Sequence, residues 1–385
     1  MKHSSTFLLF IIPFTTINVL SQNNEKPGEA LEFGGSYTGE IFNNLSGGIQ
    51  TGSRYLGMAN ITLNFDTQKA GLWKGGTFFI NAVNTHGGSP SGDLTGDLQV
   101  ASNIEAGNHT YIQELWFKQV LGQVEISAGL QDLNVDFVSS EHAGLYLNSS
   151  FGIVPTISVN IPASVFPLTT PGISVKWSVS ENIILSGAAF DGYPTDFDNN
   201  NPYNLRWNIN SKEGVLAISE FQYYSGADRL PSSYKLGFFI HNRDLALNNE
   251  AITDSTYENN YGFYFIADHI LWQRDEWHKL GVFLQTGLTP EKFNFNNYYI
   301  GAGLNFYGLT NKNGEDALGL AIAHAGADKQ TGSETTLELT YRLPITKSII
   351  IQPDLQYIIN PLGYEEKLEN SFCVAIRFGV SFKGM

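Results

Sequence analysis

The sequence predicts an all-β transmembrane β-barrel of 16 antiparallel strands, with long extracellular loops and one loop folded into the lumen. Three observations carry this. Stretches that alternate apolar and polar residues recur along the chain, the connections between them are long and short in turn, and aromatic residues gather at one end of the apolar faces.

The chain opens with Lys2 and His3 before an apolar run from Phe7 to Leu20, followed by polar sequence from Ser21. This reads as a secretory signal peptide over residues 1–21, leaving residues 22–385 as a single barrel domain. No later stretch reaches 18 consecutive apolar residues, so no transmembrane helix is expected. The one cysteine, Cys373, excludes an internal disulfide.

Strand-like segments follow at 31–42, 56–67, 75–86, 110–120, 123–131, 171–180, 182–191 and 213–224. They continue at 233–242, 258–269, 277–287, 297–307, 316–325, 333–343, 347–358 and 371–382. Each is long enough for a tilted strand to cross a bilayer. The stretch "ETTLELTYR" shows the pattern: Glu334, Thr336, Glu338, Thr340 and Arg342 share one face, and Thr335, Leu337, Leu339 and Tyr341 the other. Lipid tolerates no open sheet edge, so such a sheet must close, and sixteen strands close around water.

Connections after odd-numbered segments are long at 43–55, 87–109, 132–170, 192–212, 243–257 and 359–370, and those after even-numbered segments are mostly short. That sorting describes an outer-membrane barrel with periplasmic termini. The last outward residues of even-numbered strands include Phe65, Phe117, Trp177, Phe306, Tyr341 and Phe382, as an interfacial girdle requires.

Charged residues are only 15% of the chain, against about 25% in a typical soluble domain. The net charge of −15 disfavours nucleic acid as a partner. Alternation turns a set of polar side chains inward: Glu114, Trp116, Lys118, Glu125, Lys176, Glu334, Glu338, Arg342, Asp354, Gln356 and Arg377. Acids, guanidinium groups and amides exchange hydrogen bonds with hydroxyl-rich solutes, and an indole offers an apolar plate. The expected constriction has Glu334, Glu338, Arg342 and Asp354 facing Glu114 and Trp116. Residues 132–170, with Asp132, Asp136, Glu141, His142 and Asn148, are too long for an idle loop and are expected to narrow the channel.

Several stretches resemble the carbohydrate-selective porins (OprB-like outer-membrane porins) in order along the chain. They are "SGGIQTG", "YIQELWFKQ", "AGLQDLNVDF", "LNSSFG", "FPLTTPGISVKW", "AAFDGYP", "GVFLQTGLTP", "LGLAIAHAG" and the pair "ETTLELTYR" and "IIIQPDLQYIINPLG". The resemblance implies diffusion of small carbohydrates without a cofactor or covalent chemistry. The expected partners are sugars, outer-membrane lipid and the barrel assembly machinery, with the protein a monomer or homotrimer. Two alternatives stay open: a general or cation-preferring porin, and a surface glycan-binding or adhesion protein. Ser139 and Ser140 near His142 lack a nucleophile-elbow pattern, so no catalytic residues are expected. The histidines show no metal-ligand spacing, and the acidic stretch "DGYPTDFDNN" is the one candidate Ca²⁺ loop.

Overall fold

A computed structural model of the protein describes residues 29–207, 209, 214–225, 230–242, 259–292, 294–310, 315–327, 332–363 and 367–384. The expected signal peptide lies outside them. Sixteen strands form one closed antiparallel barrel in which each pairs with its sequence neighbours and the first pairs with the last. They are β1 (Leu31–Gly48), β2 (Gly52–Asp66), β3 (Gly76–Gly87), β4 (His109–Leu121), β5 (Val124–Gln131), β6 (Thr170–Ser178), β7 (Ile183–Asp191) and β8 (Val215–Ser225). The second half comprises β9 (Ser232–His241), β10 (Asn260–Gln273), β11 (Lys279–Leu288), β12 (Tyr298–Tyr307), β13 (Ala317–Gly326), β14 (Ser333–Pro344), β15 (Ile349–Ile359) and β16 (Glu369–Gly384). Among the described residues no helix is long and apolar enough to cross a membrane.

Every expected segment coincides with a strand. One expected connection does not survive: residues 43–55 are not a long loop. β1 continues to Gly48 and β2 begins at Gly52, so the two strands make a tall hairpin closed by residues 49–51. Asn44 stabilises that tip by donating to the carbonyls of Gly47, Gln50 and Leu94.

Alternation sets the two faces as the period of a strand requires. On β14, Glu334, Thr336, Glu338 and Thr340 are buried toward the lumen, whereas Leu337 and Leu339 are exposed on the outside. The periplasmic girdle is present. Trp177, Phe306 and Phe382 are exposed on the outer surface, and Phe78 packs between Phe65 and Phe117 with ring centroids 6.3 and 4.7 Å away. Exposed Tyr55, Tyr261 and Tyr357 sit toward the opposite rim, forming a second belt.

The barrel interior is not an empty tube. Residues 132–169 leave the top of β5, turn into the lumen, and pack Leu133, Phe137, Tyr146, Phe151, Val154 and Ile157 against the inner faces of β7–β13. That wall is cut back to receive them. The inward residues of β13 are Ala317, Gly319, Ala321, Ala323 and Ala325. A Cβ at Gly319 would lie 2.7 Å from the Tyr146 hydroxyl, and one at Gly287 would lie 2.1 Å from Oγ1 of Thr156. The expectation of an inward-folded loop is met, and it is incomplete. Residues 88–108 also turn inward, burying Leu94, Ala101 and Ile104 with Phe42, Met58 and Val83 of the wall.

Candidate functional site

The 88–108 loop packs against β1–β4, β15 and β16, and the 132–169 loop against β7–β13, so the lower parts of β4–β6 are left with space in front of them. A cavity of about 90 Å³ lies between the first turn of the 132–169 loop and β4–β7. Its lining includes Glu114, Trp116 and Lys118 of β4, Glu125 of β5, Lys176 of β6, and Asp132, Val135 and Asp136 of the loop. A second cavity of about 70 Å³ lies between the two inward loops, bounded by Asn103, Asn134, Ser149 and Phe166. Asp132 and Val135 line both cavities. The one-turn helix α1 (Leu133–Asp136) therefore lies between the two cavities.

That partition is held by its own first residue. Asp132 caps α1, accepting the Asn134 amide at 2.9 Å, and its other oxygen accepts Gln113 Nε2 at 3.1 Å and the Phe166 amide at 3.0 Å. Burial of this carboxyl raises its pKa to about 6, opposed by the two backbone donors and by Gln113. The Asp136 carboxyl is also raised by burial, with Lys176 and Lys118 pulling the other way.

On the wall, alternation along β4 brings Glu114, Trp116 and Lys118 to one face. The Trp116 indole donates to Glu114 at 3.1 Å, stacks on Phe79 of β3 with centroids 4.9 Å apart, and has the Lys118 ammonium 5.8 Å from its ring centre. Lys118 also pairs with Glu125 at 3.4 Å across the β4–β5 ladder. The cavity thus has an acid, an aromatic plate and an ammonium from one strand, and both signs of charge on the facing elements.

The other sequence-predicted residues lie elsewhere. Glu334 and Glu338 are fully buried and line neither cavity. Glu334 accepts the amides of Leu98, Gln99 and Leu362 at 2.7–3.0 Å. Glu338 accepts those of Leu147 and Asn148 at 2.5 and 3.1 Å. Gln356 donates to the Ala101 carbonyl at 2.8 Å and to Asp354 at 3.1 Å. Arg377 pairs with the buried Glu40 at 2.7 Å and reaches Ser102 at 3.3 Å. Glu334, Glu338, Gln356 and Arg377 thus pin the inward loops to the wall, and Asp354 bonds to Gln356 within the wall, so this group forms loop anchors and their support where a constriction opposite Glu114 was expected. The reason is burial: a loop backbone brought into a low-dielectric lumen needs acceptors for its N–H groups, and wall carboxylates supply them.

Arg342 lies near the periplasmic end of β14, opposite Ala317, and lines neither cavity. Asn148 is buried and caps the turn Ser149–Phe151, so it does not face the passage. Asp268 and Glu220 are further anchors that sequence reading did not single out. Asp268 accepts Ser140 Oγ at 2.6 Å and the His142 amide at 3.0 Å; Glu220 accepts the Val138 amide at 3.0 Å and the Tyr264 hydroxyl at 2.8 Å. Val135 and Phe79 were missed as well. Phe79 sits on the inward face of β3 opposite Trp116, a signal the alternation of that strand contains. Ser140 and His142 are engaged with Asp268 and Tyr307 in loop anchoring. Among the described residues no cluster of three or more His, Cys, Asp or Glu side chains could hold a metal ion. In the acidic 191–200 stretch, Asp198 accepts the amides of Asn200 and Asn201 in its own turn.

A profile described as carbohydrate-selective porin, OprB family, matches residues 50–382. The chain belongs to the carbohydrate-selective porin family. Porin B of Pseudomonas aeruginosa is 22% identical over 402 residues, covering 90% of this chain and 86% of that protein. The high-pH structure of Pseudomonas putida OprB superposes with a TM-score of 0.81 at 20% identity, covering 92% of this chain and 94% of that one. The low-pH structure of the same protein gives 0.60 at 16% identity. The protein is thus an outer-membrane porin for diffusion of carbohydrates, a member of a family of channels.

Proposed function

We propose that small neutral carbohydrates cross this porin along the two linked cavities, and that α1 with the facing wall is the selective passage. The observation that carries the reading is the lining of β4: a carboxylate, an indole and an ammonium at alternate positions, with Asp136 and Lys176 nearby. A sugar ring presents hydroxyls that both donate and accept, and a C–H face that packs on an aromatic plate. The lining sets four carboxyl groups against two ammonium groups, an excess that favours cations over anions while offering a neutral solute partners of both signs. Affinity has to stay weak, because a channel that binds its solute tightly does not pass it. Millimolar dissociation, about 4 kcal/mol, is the appropriate scale.

Planar-bilayer recording with mono- and disaccharides titrated as blockers tests this. Trp116→Ala is expected to weaken sugar block by about twofold to tenfold, the loss of an aromatic contact contributing roughly 0.5–1.5 kcal/mol. Lys118→Met is expected to weaken block and raise cation preference together. An unmodified channel whose current no sugar reduces would end the proposal and leave a passage without a sugar site.

A further inference from the structure

We propose that the connection after β7 doubles as a piece of the barrel wall, presenting Tyr203, Leu205, Trp207 and Ile209 to the lipid of the outer leaflet. The starting observation is a notch. β5 pairs with β4 only as far as Leu115–Leu130, and the chain then dives into the lumen from Asp132. β4 continues upward to His109, so its upper edge has no strand beside it on that side. An open edge at that height is costly in lipid, because water is not there to satisfy the backbone.

The chain covers the notch from elsewhere. The Ile112 amide donates to the Tyr203 carbonyl at 3.1 Å, and the Ile112 carbonyl accepts Asn204 Nδ2 at 3.3 Å. Asn204 also donates to the Thr169 carbonyl at 3.2 Å, and Thr169 donates to the Gln113 carbonyl at 2.6 Å. Phe197 stacks on His109 with centroids 4.3 Å apart and lies 4.7 Å from Tyr111. The upper half of β4 thus finds its partners in the β7–β8 connection.

Depth decides what the outer side of this seal meets. Phe117 belongs to the periplasmic girdle, and Ile112 lies five residues above it on the same strand. At about 3.3 Å per residue and a tilt of roughly 40°, that places Ile112 about 13 Å above the girdle, near the middle of an apolar band about 25 Å tall. Tyr203 is bonded at that height. Around it the turn carries four large apolar or amphipathic side chains, Tyr203, Leu205, Trp207 and Ile209, beside an exposed Arg206. The apolar set is exposed at 58, 53, 39 and 68%, whereas Asn204 is fully buried. An apolar face at membrane depth, continuous with the lipid-facing wall, takes lipid acyl chains.

Nitroxide labels on single-cysteine variants in a Cys373→Ser background, reconstituted in phospholipid vesicles, test the assignment. Labels at Leu205→Cys and Ile209→Cys are expected to collide freely with oxygen and to be shielded from a water-soluble nickel chelate, like a reference label at Leu337→Cys. A label at Asn200→Cys is expected to show the reverse. Labels at 205 and 209 that meet the nickel chelate as readily as that at 200 would overturn the proposal. Labels shielded from both reagents would also overturn it, placing protein over the face, such as a second copy of the chain. Should Leu205→Cys fail to assemble, the more exposed Ile209→Cys carries the decision.

Discussion

Removing the Glu338 carboxylate separates an anchor from a ligand. Its two oxygens accept the amides of Leu147 and Asn148 at 2.5 and 3.1 Å, and all three residues are fully buried. A hydrogen bond to a charged group is worth about 1.5–3 kcal/mol, and each buried donor left without an acceptor costs about 1–3 kcal/mol. Glu338→Ala is therefore expected to weaken the docking of this stretch by about 3–5 kcal/mol, a factor of roughly a hundred to a few thousand in the docked-to-free ratio. The loop does not leave altogether, because Asp268, Glu220 and Gln352 still hold its flanks. Amide exchange of a peptide spanning residues 143–152 should accelerate by at least about a hundredfold, and single-channel current should become larger and noisier. Glu338→Gln, which keeps one acceptor, should fall between the two. Unchanged exchange and an unchanged open-channel current, with sugar block alone reduced, would refute the reasoning and make Glu338 a contact for the solute.

Three further outcomes follow from the same geometry. Val135→Trp at the partition between the cavities should sharply reduce conductance, and Val135→Gly should raise it, read in the same recordings. Leu337→Arg places a charge on the outer face four residues above Tyr341, near mid-membrane, and should destabilise the barrel by roughly 2–4 kcal/mol in a urea titration in lipid vesicles. Asp132 has its pKa raised to about 6, so it is ionised at pH 7 and neutral at pH 5. A negative charge is then lost from the passage as pH falls through 6, and reversal potentials should show cation preference falling across that window; Asp132→Asn should flatten the change.

The barrel was legible because its determinants are local. Alternation fixes which residues of "ETTLELTYR" face lipid, since successive strand side chains point to opposite sides wherever the strand goes. The sorting of long and short connections gave the succession of hairpins, and the cost of an open edge in lipid gave the closure. The aromatic ends of Phe117, Trp177 and Tyr341 located the girdle for the same reason. Only the β1–β2 hairpin escaped, because polar Asn43, Asn44 and Ser53 in a tall strand above the membrane look like loop residues.

The inside of the barrel was decided by tertiary structure. Period-two reading says that Glu114 and Glu338 both point inward, and they do. It does not say that one lines a cavity and the other meets the amides of Leu147 and Asn148, some 190 residues away in sequence. Which inward carboxylate becomes an anchor depends on the path of two loops, and that path depends on where the opposite wall is small enough to admit them. The alanine and glycine face of β13 was the one sequence sign that something would pack there. The sequence alone determined the wall and its solvents, because each strand residue chooses between only two faces. The passage through the wall needed the folded chain, because a buried backbone takes its acceptors from whatever strand lies within reach.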